Sequence, residues 1–458
     1  MLRGSARATV GALVIGAGAA IAVLLSTWPL PVIERAPIAV AVDTLNGAQQ
    51  SLVCPGSFAE LGADPTRPGT AIPSGSATVV STGTIIASSE LLRAEAGGSM
   101  PAVLRAAAGD EAAAAQLQVV SSQTLRGLSA ASCAEVAHEQ WIVGGSTALG
   151  TSTTLSLGNP SDVPATVQIR LFDDNGEIAQ GTTGVLVPAK SERTVSLNGY
   201  APGRERIVVQ VTSTGAAITA SLGVGQVISL SPFAADTVTR QLAPSTLQVI
   251  PGVANISDHE HGGPGDAGDL DPFPVVVRML APGGETGSAR LRAVTKDGTS
   301  IDLGRAQFAG GKVIDFPIQH WPTEADGLII ESSAPIVSGV QGSSDDGVNH
   351  DYAWFAPAPV IAAKSEFAAA LVPGGQLVLV NPGKTEAKVT VTDAANRSQQ
   401  QTVSVPAGAA MPVAATPSSM IESDAPIAAG VRVTAGGLAG YPVLVPLQRS
   451  GELTVFTR

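Results

Sequence analysis

The sequence predicts an all-β protein, built of tandem β-sandwich modules behind a single N-terminal transmembrane helix. Three observations predict it. The stretch "LSLGNPSDVPATVQIRLFDDNG" (155–176) returns far downstream as "LVLVNPGKTEAKVTVTDAANR" (377–397). Gly (51) and Pro (32) are abundant while aromatics make up 3%, which favours many short elements joined by turns. An uncharged run, Val10 to Trp28, follows a basic N-terminus.

With 458 residues the chain exceeds what one core can organise. Its hydrophobic content is 44% and is dominated by Val, Ile, Leu and Ala. A net charge of -12 argues against nucleic-acid binding, which draws its affinity from Lys and Arg contacts to phosphate. It argues equally against docking on anionic lipid through a basic patch.

In chain order, residues 1–9 form a basic tail carrying Arg3 and Arg7 and no acid. Residues 10–28, as a helix, would span about 28 Å, close to the hydrocarbon thickness. The positive-inside rule keeps the tail cytoplasmic and sends the rest outside, which implies a single-pass protein of the cytoplasmic membrane. The alternative is a cleaved signal peptide and a secreted product. The nearest A-x-A, Ala39–Ala41, lies well beyond the apolar run and favours the anchor. Residues 29–50 read as a Pro-punctuated stem.

Residues 51–148 read as an N-terminal β-rich domain, with strand-like runs "ATVVSTGTIIAS", "QLQVVSSQ" and "QWIVGGS". One stretch there, "PAVLRAAAGDEAAAAQLQ" (101–118), is Ala-rich and favours helix. Cys54 and Cys133 are the only cysteines, and an even count in an exported chain reads as a structural disulfide. With no C-x-x-C, a thioredoxin-like site is disfavoured.

Three modules follow, at 149–250, 251–364 and 365–458. In the first, Ala165, Val167, Ile169 and Leu171 alternate with Thr166, Gln168 and Arg170, the period of a half-buried strand. Asn159-Pro160 turns the chain before it, and Asn175-Gly176 tolerates the positive φ of a tight hairpin. The last copy repeats the scheme with Asn381-Pro382, Ala387, Val389 and Val391. A weaker middle copy, "VVVRMLAPGGETGSARLRAVTKDG" (275–298), has Ala281-Pro282 in place of Asn-Pro. Repeats of about 90 to 110 residues, all strands and turns, have the length of a β-sandwich.

Neither a G-x-S-x-G elbow nor a phosphate loop, an H-E-x-x-H helix or a dinucleotide fingerprint after a strand occurs, so no catalytic residue and no cofactor is assigned. Two clusters carry ligand chemistry. His259 and His261, in "SDHEHGGPGDAGDLDP" (257–272), would grip a transition metal, although the composition also fits a solvated linker, which is favoured. Asp345, Asp346, Asn349 and Asp351 offer oxygen ligands for Ca²⁺, against the simpler reading of an acidic turn. Tyr352, Trp354 and Phe355 stand out in an aromatic-poor chain, as a stacking patch for sugar or protein or, preferably, as core filling.

The anchor, "VCPG", a later Cys133, and "WIVGGST" running into the 155–176 hairpin together resemble an uncharacterised actinobacterial family of exported proteins, domain of unknown function 5719. The resemblance spans most of the chain beyond the anchor and is most specific over 141–176. It implies an envelope location and carries no catalytic residues with it. A more generic similarity, to bacterial immunoglobulin-like modules with an "NP…A.V.V…G" hairpin, implies an immunoglobulin-like form for the sandwiches. The expected function is a non-enzymatic, membrane-anchored structural or interaction protein of the bacterial cell envelope, whose partner is an envelope protein or cell-wall glycan. The alternatives are a carbohydrate-binding or glycan-processing envelope protein and a metal-stiffened adhesive stalk.

Overall fold

The computed structural model describes residues 3–27, 38–42, 50–61, 64, 66–67, 70–93, 97–179, 184–257, 271–345, 349–447 and 453–457. Two units result, Met1–Asn46 with Arg449–Arg458, and Gly47–Gln448. In the first, helix α1 (Arg3–Thr27) precedes strand β1 (Ile38–Val42). That strand pairs antiparallel with the last one, Leu453–Thr457, so the expected stem contains a sheet. Side chains of α1 are described at 10–21, 23 and 24, and all of them are exposed. Among the described residues no helix is long and apolar enough to cross a membrane. Residue 28, the expected end of the span, lies outside the described residues, as do 29–37 and 43–49 of the stem.

Among the described residues the second unit is all-β apart from a four-residue helix, and it is built on one repeated plan. The first full module holds β10 (Glu139–Val143), β11 (Thr151–Asn159), β12 (Ala165–Asp173), β13 (Gly176–Glu177), β14 (Val185–Val187), β15 (Ser191–Ser196), helix α2 (Leu197–Tyr200), β16 (Val208–Gly215), β17 (Thr219–Ile228) and β18 (Ser231–Val238). Leaving aside the hairpin extension β13, eight strands form two sheets, β10-β16-β12-β14 and β15-β11-β17-β18, all antiparallel. The module therefore opens at Glu139, ahead of the expected boundary at 149.

The third full module has β27 (Glu366–Ala370), β28 (Gln376–Val380), β29 (Ala387–Asp393), β30 (Gln400–Val405), β31 (Ala410–Val413), β32 (Ser418–Ser423), β33 (Ala428–Val433) and β34 (Ala439–Pro442). Its sheets, β27-β32-β29-β30 and β31-β28-β33-β34, match the first module strand for strand. The middle module has β19 (Ser245–Pro251), β20 (Ile256–Ser257), β21 (Val275–Leu280), β22 (Gly287–Thr295), β23 (Ser300–Phe308), β24 (Ile314–Ile318), β25 (Ala325–Asp345) and β26 (His350–Phe355). Here one 21-residue strand, β25, serves as both sixth and seventh. Its first half pairs with β19 and β22, and its second half with β21 and β26.

The N-terminal domain obeys the same plan, which its sequence did not suggest. Its strands are β2 (Ser51–Val53), β3 (Ala59–Leu61), β4 (Ala71–Pro73), β5 (Thr78–Thr82), β6 (Ile85–Glu90), β7 (Ala102–Ala106), β8 (Ala113–Ser121) and β9 (Arg126–Ser132). The sheets β2-β7-β6 and β5-β8-β9 reproduce the first, sixth and third strands and the second, seventh and eighth. The fourth and fifth strands have no counterpart among the described residues, and β3-β4 is a separate hairpin. The Ala-rich stretch is thus strand, not helix. Ala112 to Ala115 are buried, and Ala113 meets Ala368, Ala370 and Met420 of the third module. Small side chains let two sheets approach closely there. The Gln116 amide exchanges hydrogen bonds with the Gly56 backbone at 2.8 and 2.9 Å, and Gln118 links Phe58 N and Ser74 O at 2.7 Å each. Tertiary contacts of this kind outweigh a helix propensity of a few tenths of a kcal/mol per residue.

The echoed Asn-Pro has a structural role that both copies share. Asn159 is buried, and its amide donates to the carbonyls of Val163 (2.8 Å), Val187 (3.2 Å) and Pro188 (3.1 Å). Asn381 donates to Thr385 (2.8 Å), Val405 (3.0 Å) and Pro406 (3.1 Å) in the same way. Each asparagine ties its own turn to the end of the fourth strand. In the middle module Ala281 is buried at this place, and Gly311 N donates to its carbonyl at 2.8 Å.

The four modules close into a ring. The eighth strands β9, β18, β26 and β34 converge, each touching its neighbours around the cycle. Every one of them also wedges into the preceding core. Tyr352 and Trp354 of β26 sit in the first full module's core, and Leu438, just ahead of β34, in the middle one. Leu128 and Ala130 of β9 join the third, and Ala235 of β18 packs on Phe58, Val120 and Leu125 of the N-terminal domain. First and last modules are fastened by the Thr82 hydroxyl to Ala369 O (2.7 Å) and by Leu447 N to the Glu135 carboxylate (2.6 Å). Between the N-terminal domain and the first full module, a buried Arg93–Glu192 pair meets at 2.5 Å, with Arg93 also donating to Pro55 O at 2.8 Å. The expected disulfide is present: Cys54 follows β2 and bonds Cys133, which follows β9.

Two outcomes follow for stability. Replacing Asn159 by Ala removes its donor from three carbonyls, of which those of Val163 and Pro188 keep the hydroxyls of Ser161 and Ser191. The change should lower stability by about 1 to 2 kcal/mol, read from urea unfolding of the full chain. The double change Cys54→Ala, Cys133→Ala releases a closed loop of 79 residues. On the chain-entropy model this costs at most about 4.5 kcal/mol, visible as a drop in melting temperature that reductant reproduces in the parent protein.

Candidate functional site

The axis of the ring has two unlike ends. Where the eighth strands begin lies a polar cleft of about 750 Å³, to which all four modules contribute. Where they end, the linkers between modules surround an apolar cleft of about 500 Å³, lined by Leu242, Leu247, Pro357, Pro359 and Val445 among others. At the apolar end Arg240 is buried, and its guanidinium donates to Glu135 O at 2.7 Å. Burial pulls Arg240 down to about 10. Gln50 and Leu447 both line this end, so the chain enters and leaves the ring there.

The polar end is organised by Asp351, at the start of β26. Its Oδ2 accepts hydrogen bonds from Leu128 N (2.8 Å) and Leu438 N (3.1 Å), joining the eighth strands of three modules. Glycine is required on both sides of this carboxylate. Gly127 and Gly437 have φ of 154° and 149°, and a Cβ on either would collide with an Asp351 oxygen. The side chain is 4% exposed. Burial outweighs these hydrogen bonds and the nearby Arg126, and lifts its carboxyl to about 7. Asp236, on β18, is also fully buried and accepts from Trp354 N at 2.6 Å. Burial raises it well above the carboxylate range. Each is an acid placed on an inner strand to bind backbone amides of other modules.

His350 lies beside this hub, its ring stacked on Phe233 at 3.9 Å and against Phe273 at 4.1 Å. Burial pulls it down to about 4, so it is a neutral ring near pH 7. Arg126 donates to the Asn349 amide oxygen at the rim. Arg126, His350 and Asp236 were not singled out in the sequence. The only available signal was a charged or titratable residue inside an otherwise apolar run, as in "SPFAADTV".

The sequence-derived candidates fall as follows. Asp345, Asn349 and Asp351 line the polar cleft, while Asp346, His259 and His261 lie outside the described residues. Among the described residues no group of three or more His, Cys, Asp or Glu is placed to hold a metal ion. Asp351 is committed to backbone amides rather than facing a cation. Tyr352, Trp354 and Phe355 form no surface patch, since all three are buried. Trp354 instead receives the Arg278 guanidinium over its ring at 4.9 Å, and Arg278 reaches on to Gly145 O in the first full module.

Fold and site define a class: an all-β protein in which repeated two-layer modules close around buried carboxylates. The chain belongs to a family of unknown function, DUF5719, whose model matches residues 92–416. None of the curated proteins matches it.

Asp351 gives stability a definite pH dependence. Its native pKa, about 7, lies above the unfolded value near 4, so the native state binds the extra proton between them. The stabilisation is complete below about pH 4 and is lost as pH rises through about 7, with Asp236 acting in the same direction. His350, its pKa pulled to about 4, works the other way below about pH 6.5, so the comparison lies above that value. Unfolding in urea at about pH 6.5 and about pH 8.5 should show the more acidic sample to be more stable. Asp351→Asn, whose amide oxygen can accept the same two bonds, should reduce that difference to the share Asp236 contributes.

Proposed function

We propose that the protein is a non-enzymatic, membrane-anchored scaffold of the bacterial cell envelope, holding its ring outside the cytoplasmic membrane and engaging an envelope partner. The observation that carries this reading is the closure of the ring, with first and last modules fastened together and with Gln50 and Leu447, where the chain enters and leaves it, at one end of the axis. Such an arrangement presents a rigid body on a tether. The anchor rests on the uncharged run Val10 to Trp28 behind a basic tail, and the disulfide suits an oxidising compartment. We read the modules as immunoglobulin-like in their central pairings, second strand with fifth and third with sixth. They depart from that pattern by setting the first strand beside the sixth and the seventh beside the second.

Fractionation of cells producing the full chain should leave it in the membrane after a carbonate wash, and protease added outside intact spheroplasts should remove the ring. A soluble mature chain beginning after Trp28 would replace the anchor with secretion. Turnover of an envelope substrate by the purified protein would overturn the non-enzymatic reading.

A further inference from the structure

In each full module the third and second strands are flanked by a fourth and a fifth. β14 pairs with β12 and β15 with β11; β23 and β24, then β30 and β31, do the same in the other two. In the N-terminal domain the third strand, β6, and the second, β5, each end their sheet. Among the described residues no strand pairs with the outer edge of β5 or of β6 itself. The open edge ends at Glu90, because Leu92 bridges Ser191 of the first full module, its N donating to Lys190 O at 3.0 Å and its O accepting from Glu192 N at 2.8 Å. The side chains show the vacancy too. Ser88, Ser89 and Glu90 are exposed, Ile86 is 53% exposed, and Val79 on β5 is 38% exposed.

The edge carries little of the usual protection, Glu90 at its end being its one charge. Exposed edge strands commonly carry Lys, Pro or inward charges that discourage pairing. From Gly75 to Ser89 there is no charged residue and no proline, and Thr78, Val79, Val80, Ile85 and Ile86 are β-branched. Leu91 N donates to Pro101 O at 2.9 Å, across from β7. By alternation Ser89 and Ala87 also point at β7, leaving the N–H and C=O of Ser88 and Glu90 directed outward.

We propose that this vacancy is an interaction site: an extended, uncharged segment of a partner protein adds to β6 as an antiparallel strand, in the place that the fourth strand fills in the other modules. The third module shows most closely the strand this place takes, β30 with QQTVSV, uncharged and largely small or β-branched, whereas β14 is VLV and β23 carries Asp302 and Arg305. In each module the chain then passes on toward the second sheet. Backbone bonds supply the affinity in this mode, and the exposed Ile86 and Val79 offer apolar contact.

The test uses the full chain and a synthetic peptide of residues 399–414, "QQQTVSVPAGAAMPVA", the fourth and fifth strands of the third module. Hydrogen exchange read by mass spectrometry should show the Ser88 and Glu90 amides exchanging fast alone and protected with the peptide in excess. Ser88→Pro removes one outward N–H without touching the β7 ladder, and should weaken peptide binding by about tenfold or more while melting like the parent. Ser88→Lys, a charge on the same edge, should act alike if the proline perturbs folding. Amides already protected without peptide, no protection at about 1 mM peptide, or binding unchanged in both variants would overturn the proposal. Self-association that both variants abolish would make a second copy the occupant, and would overturn the assignment to a partner.

Discussion

The structure depends on the convergence of four strands, β9, β18, β26 and β34, on one axis. Strands can lie that close only where side chains are small or absent, or where a polar group finds a partner at once. Gly127, Ala235, Gly437 and Ala439 meet the first condition, and Asp236 and Asp351 the second. A buried carboxylate is costly in an apolar interior, but here each accepts backbone amides from a neighbouring module. These acids are therefore specific to one register between modules. A slip by one residue would leave both the acid and the amides without partners.

Around that axis the modules exchange material in a fixed sense. The eighth strand of each completes the core of the one before it, so no module is a closed unit by itself. The low aromatic content follows from this arrangement. Of the four tryptophans, Trp141, Trp321 and Trp354 are buried, two of them where modules abut, and sheets elsewhere are spaced by Ala, Val and Leu. The Ala-rich β8 is the extreme case, a strand whose composition is set by the sheet that faces it.

Much of the repeated hairpin was legible in the sequence. Alternating Ala165, Val167, Ile169 and Leu171 face inward, and all are buried. The echoed asparagines were readable as turn residues, though their second task, reaching across to the fourth strand, depends on a contact 28 residues away that no local pattern encodes. The fourth copy of the plan escaped notice because the N-terminal domain lacks the strands that flank the hairpin in the others, along with its Asn-Pro. Helix propensity misled at 101–118, since burial between two sheets is a long-range fact. The aromatic trio reads in the sequence as core filling ahead of a surface patch, but no local pattern tells that Tyr352 and Trp354 fill the core of the neighbouring module. Asp351 lay within a candidate metal cluster, and only the amides of Leu128 and Leu438, distant in sequence, reveal what it binds.

Ring closure also bears on how the chain reaches this state. The domain made first presents Ala113, Leu128 and Ala130 to a module whose strands begin at Glu366. Until that module has emerged, the first domain keeps a half-finished apolar face, and the contacts that finish it join the two ends of the ring. A topology so dominated by distant pairings folds slowly. The disulfide joins residues within the first domain alone, so it can hold that domain together through the wait.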